Sequence, residues 1–246
     1  MGRGERKRSQ MKFASAPGAP MFFCTAAQST ALLSEGRKPI LLIRHGITDW
    51  NREMRLQGRE DIPLSDEGRQ QAADCAAFLR LGFPKDGGSS IGVYSSPLSR
   101  ALDTAACIAA ALELPPPKVE EGLIEREYGA LSGLTPQKRK SLYPTPADYP
   151  QNVEGVPDAA KRMKQTMSAL REKEEQVIIA VTHGGVMNAL FSCITGKRAG
   201  LGYNFTKNCT VAMVAVGRYD VIPLAFNLTA QVFPEYIQNI RFPTEN

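Results

Sequence analysis

The chain has 246 residues, of which 43% are hydrophobic and 22% are charged, as expected for a globular protein with a sizeable core. Its net charge of +5 is carried entirely by residues 1–38, so residues 39–246 are neutral and show no footprint of a nucleic-acid partner. No apolar run approaches the roughly eighteen residues of a membrane span, and the five cysteines lack the paired spacing of a metal site.

The first 38 residues are rich in arginine, serine, alanine, glycine and proline and show no sustained hydrophobic period. We predict a basic, disordered tail over residues 1–38. The alternative is an organellar transit peptide, which is also basic and poor in acidic residues. The protein is therefore expected in the cytoplasm, or in an organelle if the tail is a transit peptide. Residues 39–246 are predicted to form the folded domain.

The first predicted strand, residues 39–43, runs directly into Arg44, His45 and Gly46. Four consecutive apolar residues without polar alternation are typical of a strand that is buried on both faces of a parallel sheet. Open α/β sheets bind ligands beyond the carboxyl ends of their strands. The run therefore places His45 where a ligand is expected, and Gly46 allows a close approach of the backbone.

Helices and strands alternate along the rest of the domain. The predicted elements are a helix after an N-cap at Ser65, a strand over 91–95, a helix capped at Ser96, a helix over 158–174, and strands over 177–182, 209–216 and 219–224. This alternation favours one α/β domain, a three-layer α/β/α sandwich with a mostly parallel central sheet.

The strand over 177–182 repeats the first pattern, since it ends in His183, Gly184 and Gly185. The chain has only two histidines, and both follow a strand and precede a glycine, so we predict that they share one site. A phosphoryl group needs donors and positive charge around its oxygens. Arg44 could supply them, as could the free N–H groups of the following helix, beginning at Gly184. Arg100, in the first turn of a helix, is equally compatible with a surface arginine.

Several motifs together resemble the histidine phosphatase superfamily in its phosphoglycerate mutase-like branch, branch 1. They are the segments 42–51 (LIRHGITDWN), Gly58 with 62–68 (IPLSDEG), 94–101 (YSSPLSRA), 125–133 (EREYGALSG) and 181–185 (VTHGG). In this order they cover roughly residues 39–216. The resemblance implies a phosphoglycerate mutase-like fold and a phosphatase that uses no metal and no other cofactor.

The resemblance also implies a role for each matched residue. His45 would attack phosphorus and become a phosphohistidine, and Glu125 would protonate the leaving alkoxide and then activate water. Arg44, Arg100 and His183 would hold the phosphoryl oxygens, with Asn51 in support. The remaining residues predicted to bind phosphate or substrate are Gly46, Gln57, Gly58, Tyr128 and Gly184.

Two features of the sequence are compatible with more than one interpretation. Glu127 shares a face with Glu125 in an extended segment, so only the motif favours Glu125 as the acid. The segment between Glu125 and His183 is short, and its only basic cluster, residues 138–140, is no convincing counterpart of the paired arginines with which mutases hold substrate.

We therefore expect a metal-independent phosphomonoesterase that acts on a small phosphorylated metabolite, with sugar phosphates as the first expectation. The alternatives are a cofactor-dependent phosphoglycerate mutase, a phosphoprotein phosphatase and a non-catalytic binding protein of the same fold. Phosphoglycerate mutase relatives are often dimeric, so a homodimer is compatible with the resemblance.

Overall fold

A computed structural model describes residues 18–83, 90–201 and 204–243. The strands in these ranges are β1 Met21–Phe22, β2 Lys38–Arg44, β3 Ile91–Ser95, β4 Lys118–Val119, β5 Val177–Thr182, β6 Val211–Val216 and β7 Val221–Leu228. The helices are α1 Ala26–Ser34, α2 Asp49–Arg52, α3 Asp66–Gly82, α4 Ser99–Ala111, α5 Pro136–Leu142, α6 Val156–Arg171, α7 Gly184–Ile194 and α8 Phe233–Gln238. Short 3₁₀ turns cover Glu121–Leu123, Gly129–Leu131 and Pro146–Asp148.

The described strands form one mixed sheet in the order β1-β7-β6-β2-β5-β3-β4. The pairings of β2 with β5, β5 with β3 and β3 with β4 are parallel. Those of β2 with β6, β6 with β7 and β7 with β1 are antiparallel. The connection between β6 and β7 is too short for the crossover that a parallel pair needs. The predicted α/β fold is confirmed, but its sheet is mixed rather than mostly parallel, because three of the six described pairings are antiparallel. The parallel half lies between β2 and β4.

Helices cover both faces of the sheet because successive side chains of a strand point to opposite faces. Leu41 and Ile43 pack in one core with residues of α1, α3, α4 and α8. Ile40 and Leu42 pack in the other core with residues of α6 and α7. All four side chains are fully buried, which confirms the prediction that β2 is covered on both faces.

The amino-terminal segment differs from the prediction of a tail that ends at residue 38. Met21 pairs with Phe226 at the edge of the sheet, and α1 begins at a capping box formed by Thr25. The helix buries Leu33, and the Ser29 hydroxyl lies 2.9 Å from the Tyr236 hydroxyl. The tail prediction is therefore wrong for Met21–Ser34, where packing against the sheet stabilises a sequence with little periodicity of its own. Residues 1–17 lie outside the described ranges.

Two predicted helix caps have different outcomes. The Ser65 hydroxyl accepts from the N–H of Gly68 at 3.1 Å, which confirms the cap of α3. The predicted cap at Ser96 is wrong, since α4 begins at Ser99 with Leu98 as its N-cap. None of the helices in the described ranges is long and apolar enough to cross a bilayer.

Candidate active site

The two histidines meet at the carboxyl edge of the parallel half of the sheet. Arg44 of β2 pairs with Thr182 of β5, and the N–H of His45 donates to the carbonyl of Thr182 at 3.0 Å. His45 and His183 therefore leave neighbouring strands at the same level. Their ring centroids lie 5.1 Å apart, so the structure brings them together as the sequence predicts.

A cavity of about 560 Å³ opens at this edge of the sheet. The predicted site residues that line it are Arg44, His45, Asn51, Gln57, Arg100, Glu125, Tyr128 and Gly184. Gly46, Gly58 and His183 are not among its lining residues. A larger surface groove of about 840 Å³, between α1 and α8, contains neither histidine.

His45 is arranged as a nucleophile. Its Nδ1 lies 2.7 Å from the carbonyl oxygen of Gly46, and because a carbonyl can only accept, Nδ1 carries the proton of the neutral ring. The lone pair of Nε2 therefore remains available. Burial and the positive charges of Arg100 and Arg44 hold the pKa of His45 well below its usual value. The imidazole is thus neutral at neutral pH, which is the form that can attack phosphorus.

Arg100 is fully buried beside His45 rather than exposed on the surface. Its guanidinium donates to the carbonyls of Glu60 at 2.7 Å and Gly58 at 2.9 Å, and its Nε donates to Nε2 of His45 at 3.3 Å. Burial lowers its pKa to about 10, so the group stays charged at neutral pH. Gly58, predicted as a binding residue, acts here through its carbonyl, which orients Arg100.

The segment before β6 holds the end of β2. Thr206 accepts at its carbonyl from Nη1 of Arg44 at 2.7 Å, and Cys209 donates its N–H to the carbonyl of Arg44 at 2.9 Å. Asn208 donates its side-chain amide to the carbonyl of His45 at 2.8 Å. Nε of Arg44 is buried and has no partner within the described ranges. A donor buried without an acceptor is costly, and a bound anion would satisfy it.

Asn51 presents its amide nitrogen to the cavity. Its Oδ1 accepts from the N–H of Thr48 at 3.2 Å and from Nδ2 of Asn208 at 3.4 Å. Since the oxygen is occupied by donors, the NH₂ group is the part of the side chain that remains to bind a ligand. This arrangement agrees with the supporting contact to phosphate that the sequence predicts.

Glu125 lies at the amino end of α7. Its Oε1 accepts from the N–H groups of Arg126 and Val186 at 2.8 Å each, and its Oε2 accepts from Gly185 at 2.9 Å. These helix N–H groups, expected to face a phosphate, therefore orient Glu125 instead. A Cβ atom at Gly185 would lie 2.7 Å from Oε1 of Glu125, so only glycine allows this approach.

Glu127, the rival for the role of acid, does not line the cavity. Its Oε1 accepts from the N–H of Gly129 at 2.8 Å, and its other oxygen lies 3.8 Å from Nε of Arg59. Of the two carboxylates, only that of Glu125 lines the cavity. Geometry separates them where the sequence alone could not.

The outer part of the cavity is basic, aromatic and apolar. Sequence reasoning did not single out Arg126, which is 8% exposed, donates to the carbonyl of Glu154 at 2.6 Å and keeps a buried Nε without a described partner. Arg139 is the one member of the predicted 138–140 cluster among the lining residues. The guanidinium carbon of Arg126 lies 5.1 Å from the ring centroid of Tyr128. Burial together with the charge of Glu125 raises the pKa of Tyr128.

Within the described ranges, Glu125 is the only acidic side chain that lines this cavity. In the same ranges, no group of three or more histidine, cysteine, aspartate or glutamate side chains is arranged to hold a metal ion. The positive charge of the site comes from the guanidinium groups of Arg44, Arg100, Arg126 and their neighbours. The chemistry that fits it is the binding of an anion beside a neutral imidazole and a carboxyl group.

Comparisons with known proteins agree with this geometry. The family model of the histidine phosphatase superfamily (branch 1) matches residues 40–229. A phosphoglycerate mutase-like protein 4 of Arabidopsis thaliana is 34% identical over 163 residues, which are 62% of this chain and 69% of the relative. A metal-independent phosphoserine phosphatase of the same plant is 34% identical over 167 residues, covering 63% of this chain and 68% of the relative. The structure of a mycobacterial glucosyl-3-phosphoglycerate phosphatase superposes with a TM-score of 0.65 at 25% identity, over 78% of this chain and all of that one.

Proposed function

The chain belongs to branch 1 of the histidine phosphatase superfamily, and from this premise we propose that it is a metal-independent phosphomonoesterase of small phosphorylated metabolites. The phosphoryl group would pass through a phosphohistidine at His45. The observation that carries the proposal is the pairing of Nδ1 of His45 with the Gly46 carbonyl, which leaves Nε2 as a neutral nucleophile beside Arg100.

Binding comes first in the proposed reaction. Arg44, with its unpartnered Nε, Arg100 and Asn51 line the same cavity as His45, and in this proposal their donors bind the phosphoryl oxygens. Three donors around a phosphoryl group neutralise its oxygens and orient phosphorus towards Nε2. Arg100 then exchanges its contact with Nε2 of His45 for a phosphoryl oxygen, which frees the lone pair for attack.

The transfer step balances with these groups alone. Nε2 of His45 forms a bond to phosphorus while the bond from phosphorus to the ester oxygen breaks. The protonated form of Glu125 gives its proton to the departing oxygen and becomes a carboxylate. The ring then carries both a phosphoryl group and the Nδ1 proton, and the Gly46 carbonyl stabilises its positive charge through the 2.7 Å hydrogen bond.

Hydrolysis reverses the roles. Glu125 accepts a proton from a water molecule, whose oxygen attacks phosphorus, and the bond to Nε2 breaks to regenerate the neutral ring. The carboxylate is well placed for both steps because three backbone N–H groups fix its orientation. In such two-step transfers, one carboxyl group commonly acts first as the acid and then as the base.

The size and charge of the outer part of the cavity indicate which classes of substrate fit the site. A volume of about 560 Å³ admits an organic group well beyond the phosphate. Sugar phosphates, the first expectation from the sequence, fit a site of this kind. The unpartnered Nε of Arg126 and Arg139, which lines the same cavity, also favour substrates whose organic part carries a carboxylate. The names of two relatives, a phosphoserine phosphatase and a glucosyl-3-phosphoglycerate phosphatase, support that second class.

A cofactor-dependent phosphoglycerate mutase is the second candidate, and the same basic outer cavity favours it. A panel of phosphate esters separates the two functions. Purified protein is offered sugar phosphates, phosphoserine and 3-phosphoglycerate in the presence of a chelator, with and without 2,3-bisphosphoglycerate. Release of inorganic phosphate supports the phosphatase, while interconversion of 2- and 3-phosphoglycerate supports the mutase. No turnover of any ester would contradict both.

A further inference from the structure

Ser96 stands directly after β3 and is fully buried against His183. Its Oγ lies 2.7 Å from Nε2 of the imidazole. The backbone places it there, since the N–H of Ser96 donates to the carbonyl of Val181 in the neighbouring strand at 3.0 Å. The hydroxyl is thus turned towards a histidine, although its position in the sequence suggests a helix cap.

The direction of this hydrogen bond follows from the other contact of the hydroxyl. Ser96 Oγ accepts from the N–H of Leu98 at 3.3 Å, so that contact uses a lone pair. Within the described ranges the only partner left for the hydroxyl proton is Nε2 of His183, which must then accept. The proton of the neutral imidazole therefore sits on Nδ1, which is buried and has no described partner.

We propose that Ser96 is a positioning residue that holds His183 in the Nδ1–H form, as a preformed hydrogen-bond donor to the phosphoryl group. The inference rests on the proposed phosphatase function and adds to it the residue that sets which nitrogen of His183 donates. His45 has the same tautomer, but the roles of its N–H group and of its lone pair are exchanged. In His45 the Gly46 carbonyl accepts from the N–H, and the lone pair of Nε2 keeps only the 3.3 Å contact with Arg100. In His183 the Ser96 hydroxyl occupies the lone pair, and the N–H has no partner within the described ranges.

The energetics favour such an arrangement in a catalyst. An N–H group that is buried without an acceptor destabilises the empty site. The same group regains a strong hydrogen bond when charge develops on a phosphoryl oxygen, with no reorganisation at that moment. The location agrees, because the ring of His183 lies 5.1 Å from that of His45. Burial and the nearby charges of Arg100, Arg44 and Arg162 lower the pKa of His183, so it donates as a neutral group.

Ring ¹⁵N NMR tests the tautomer without any need for a substrate. The chain has two histidines, so the spectrum contains two rings, and His45→Asn assigns the one that remains. We expect His183 to show a protonated Nδ1 and an unprotonated Nε2, with a change in the Nδ1 environment when inorganic phosphate is added. A His183 ring protonated on Nε2 in the unsubstituted protein would overturn the proposal.

Substitution of the serine tests its effect on catalysis. In Ser96→Ala, Nε2 loses its donor and the proton can move to it. We therefore expect kcat to fall by up to about 10²-fold with a smaller change in KM, and a mixed tautomer in the NMR spectrum. Ser96→Thr keeps the hydroxyl and should restore the Nδ1–H signal.

Ser95→Ala is the matched control. Ser95 is equally buried, but its hydroxyl donates to the carbonyl of Ser96 at 2.9 Å rather than to a histidine. Equal losses of kcat in the two alanine variants would show a packing effect and contradict the proposal. If no ester is turned over, the function proposed above fails. The role of Ser96 is then still decided by the NMR result and by the affinity for inorganic phosphate, which we expect to fall in Ser96→Ala but not in Ser95→Ala.

Discussion

Nε of Arg100 donates to Nε2 of His45 across 3.3 Å. The contact joins the proposed nucleophile to the cation that would bind its target, and it keeps the imidazole neutral. In the proposed reaction, an incoming phosphoryl group would replace this contact. Both residues are buried, so the exchange takes place out of bulk water, where charge–dipole interactions are strongest.

Replacement of His45 by asparagine should lower kcat by about 10⁴-fold or more, because His45 is the only imidazole among the described residues that line the cavity and an amide cannot form the phosphohistidine. Phosphate release measures the loss. Rapid quenching with a ³²P-labelled ester should label the unsubstituted protein and leave His45→Asn unlabelled. An unaltered unfolding transition of the variant would exclude misfolding, and turnover close to that of the unsubstituted protein would contradict the assignment.

Arg100→Lys should weaken both the binding of inorganic phosphate and turnover, with kcat lower by about 10²-fold or more. Lysine keeps the charge but cannot reach the carbonyls of Gly58 and Glu60 and a phosphoryl oxygen together, since it lacks the planar fork. Arg69→Lys is the control, because Arg69 is exposed and pairs with Asp66 on the surface of α3. Similar kinetics for Arg100→Lys and Arg69→Lys would argue against a phosphate-binding role for Arg100.

Glu125→Gln should impair hydrolysis of alkyl phosphates by about 10²- to 10⁴-fold, because glutamine cannot transfer a proton. An ester with a good leaving group, such as p-nitrophenyl phosphate, needs little protonation, so its first transfer step should be affected less. Glu127→Gln serves as the matched control and should retain near-normal rates. If Glu127→Gln shows the larger defect, the acid has been assigned to the wrong carboxyl group.

Stability should fall as the pH falls below about 6.5. Burial lowers the pKa of both His45 and His183 in the folded protein, so below the unfolded value of about 6.5 only the unfolded chain takes up these protons. The free energy of unfolding should then drop by up to about 1.4 kcal/mol per pH unit for each histidine. Urea denaturation between pH 5 and pH 7 measures the slope. His45→Asn should roughly halve it, and an unchanged slope would show that His45 takes up its proton in the folded state.

Leu33→Ala should cost about 2–5 kcal/mol of unfolding free energy, because Leu33 of α1 is 2% exposed within the core. Leu81→Ala provides the comparison, since Leu81 is 65% exposed and should change stability by less than about 0.5 kcal/mol. Chemical denaturation of both variants tests whether α1 belongs to the fold. A negligible effect at Leu33 would return this segment to the tail that the sequence predicts.

The parts of the molecule that could be predicted share a strong local signal. The apolar run of β2 and its repeat before His183 predicted two buried strands, and the rule that ligands bind at carboxyl ends of strands placed both histidines correctly. Ser65 was identifiable as a cap because its side chain precedes two acidic residues and an apolar stripe.

The parts that could not be predicted depend on distant contacts. Asn208 and Thr206 reach the site from the segment before β6, at the amino end of that strand. The rule used for the histidines concerns only the carboxyl ends of strands, so it does not predict these two residues. Arg126 lies beside Glu125 in sequence, yet its unpartnered Nε becomes visible only once the chain has folded around the cavity. Strand β1 has two residues and no pattern of its own, and only its pairing with β7 defines it.

The inner end and the outer wall of the cavity draw largely on different segments of the chain. Its inner end is formed where β2, β3 and β5 stop, and any change there alters the reaction itself. Its outer wall draws on residues between Arg126 and Val153 and on the segment before β6, which bear no strand of the sheet's parallel half. Substitutions in those segments, natural or engineered, could therefore change which leaving group the protein accepts without changing the cleavage of the bond to phosphorus.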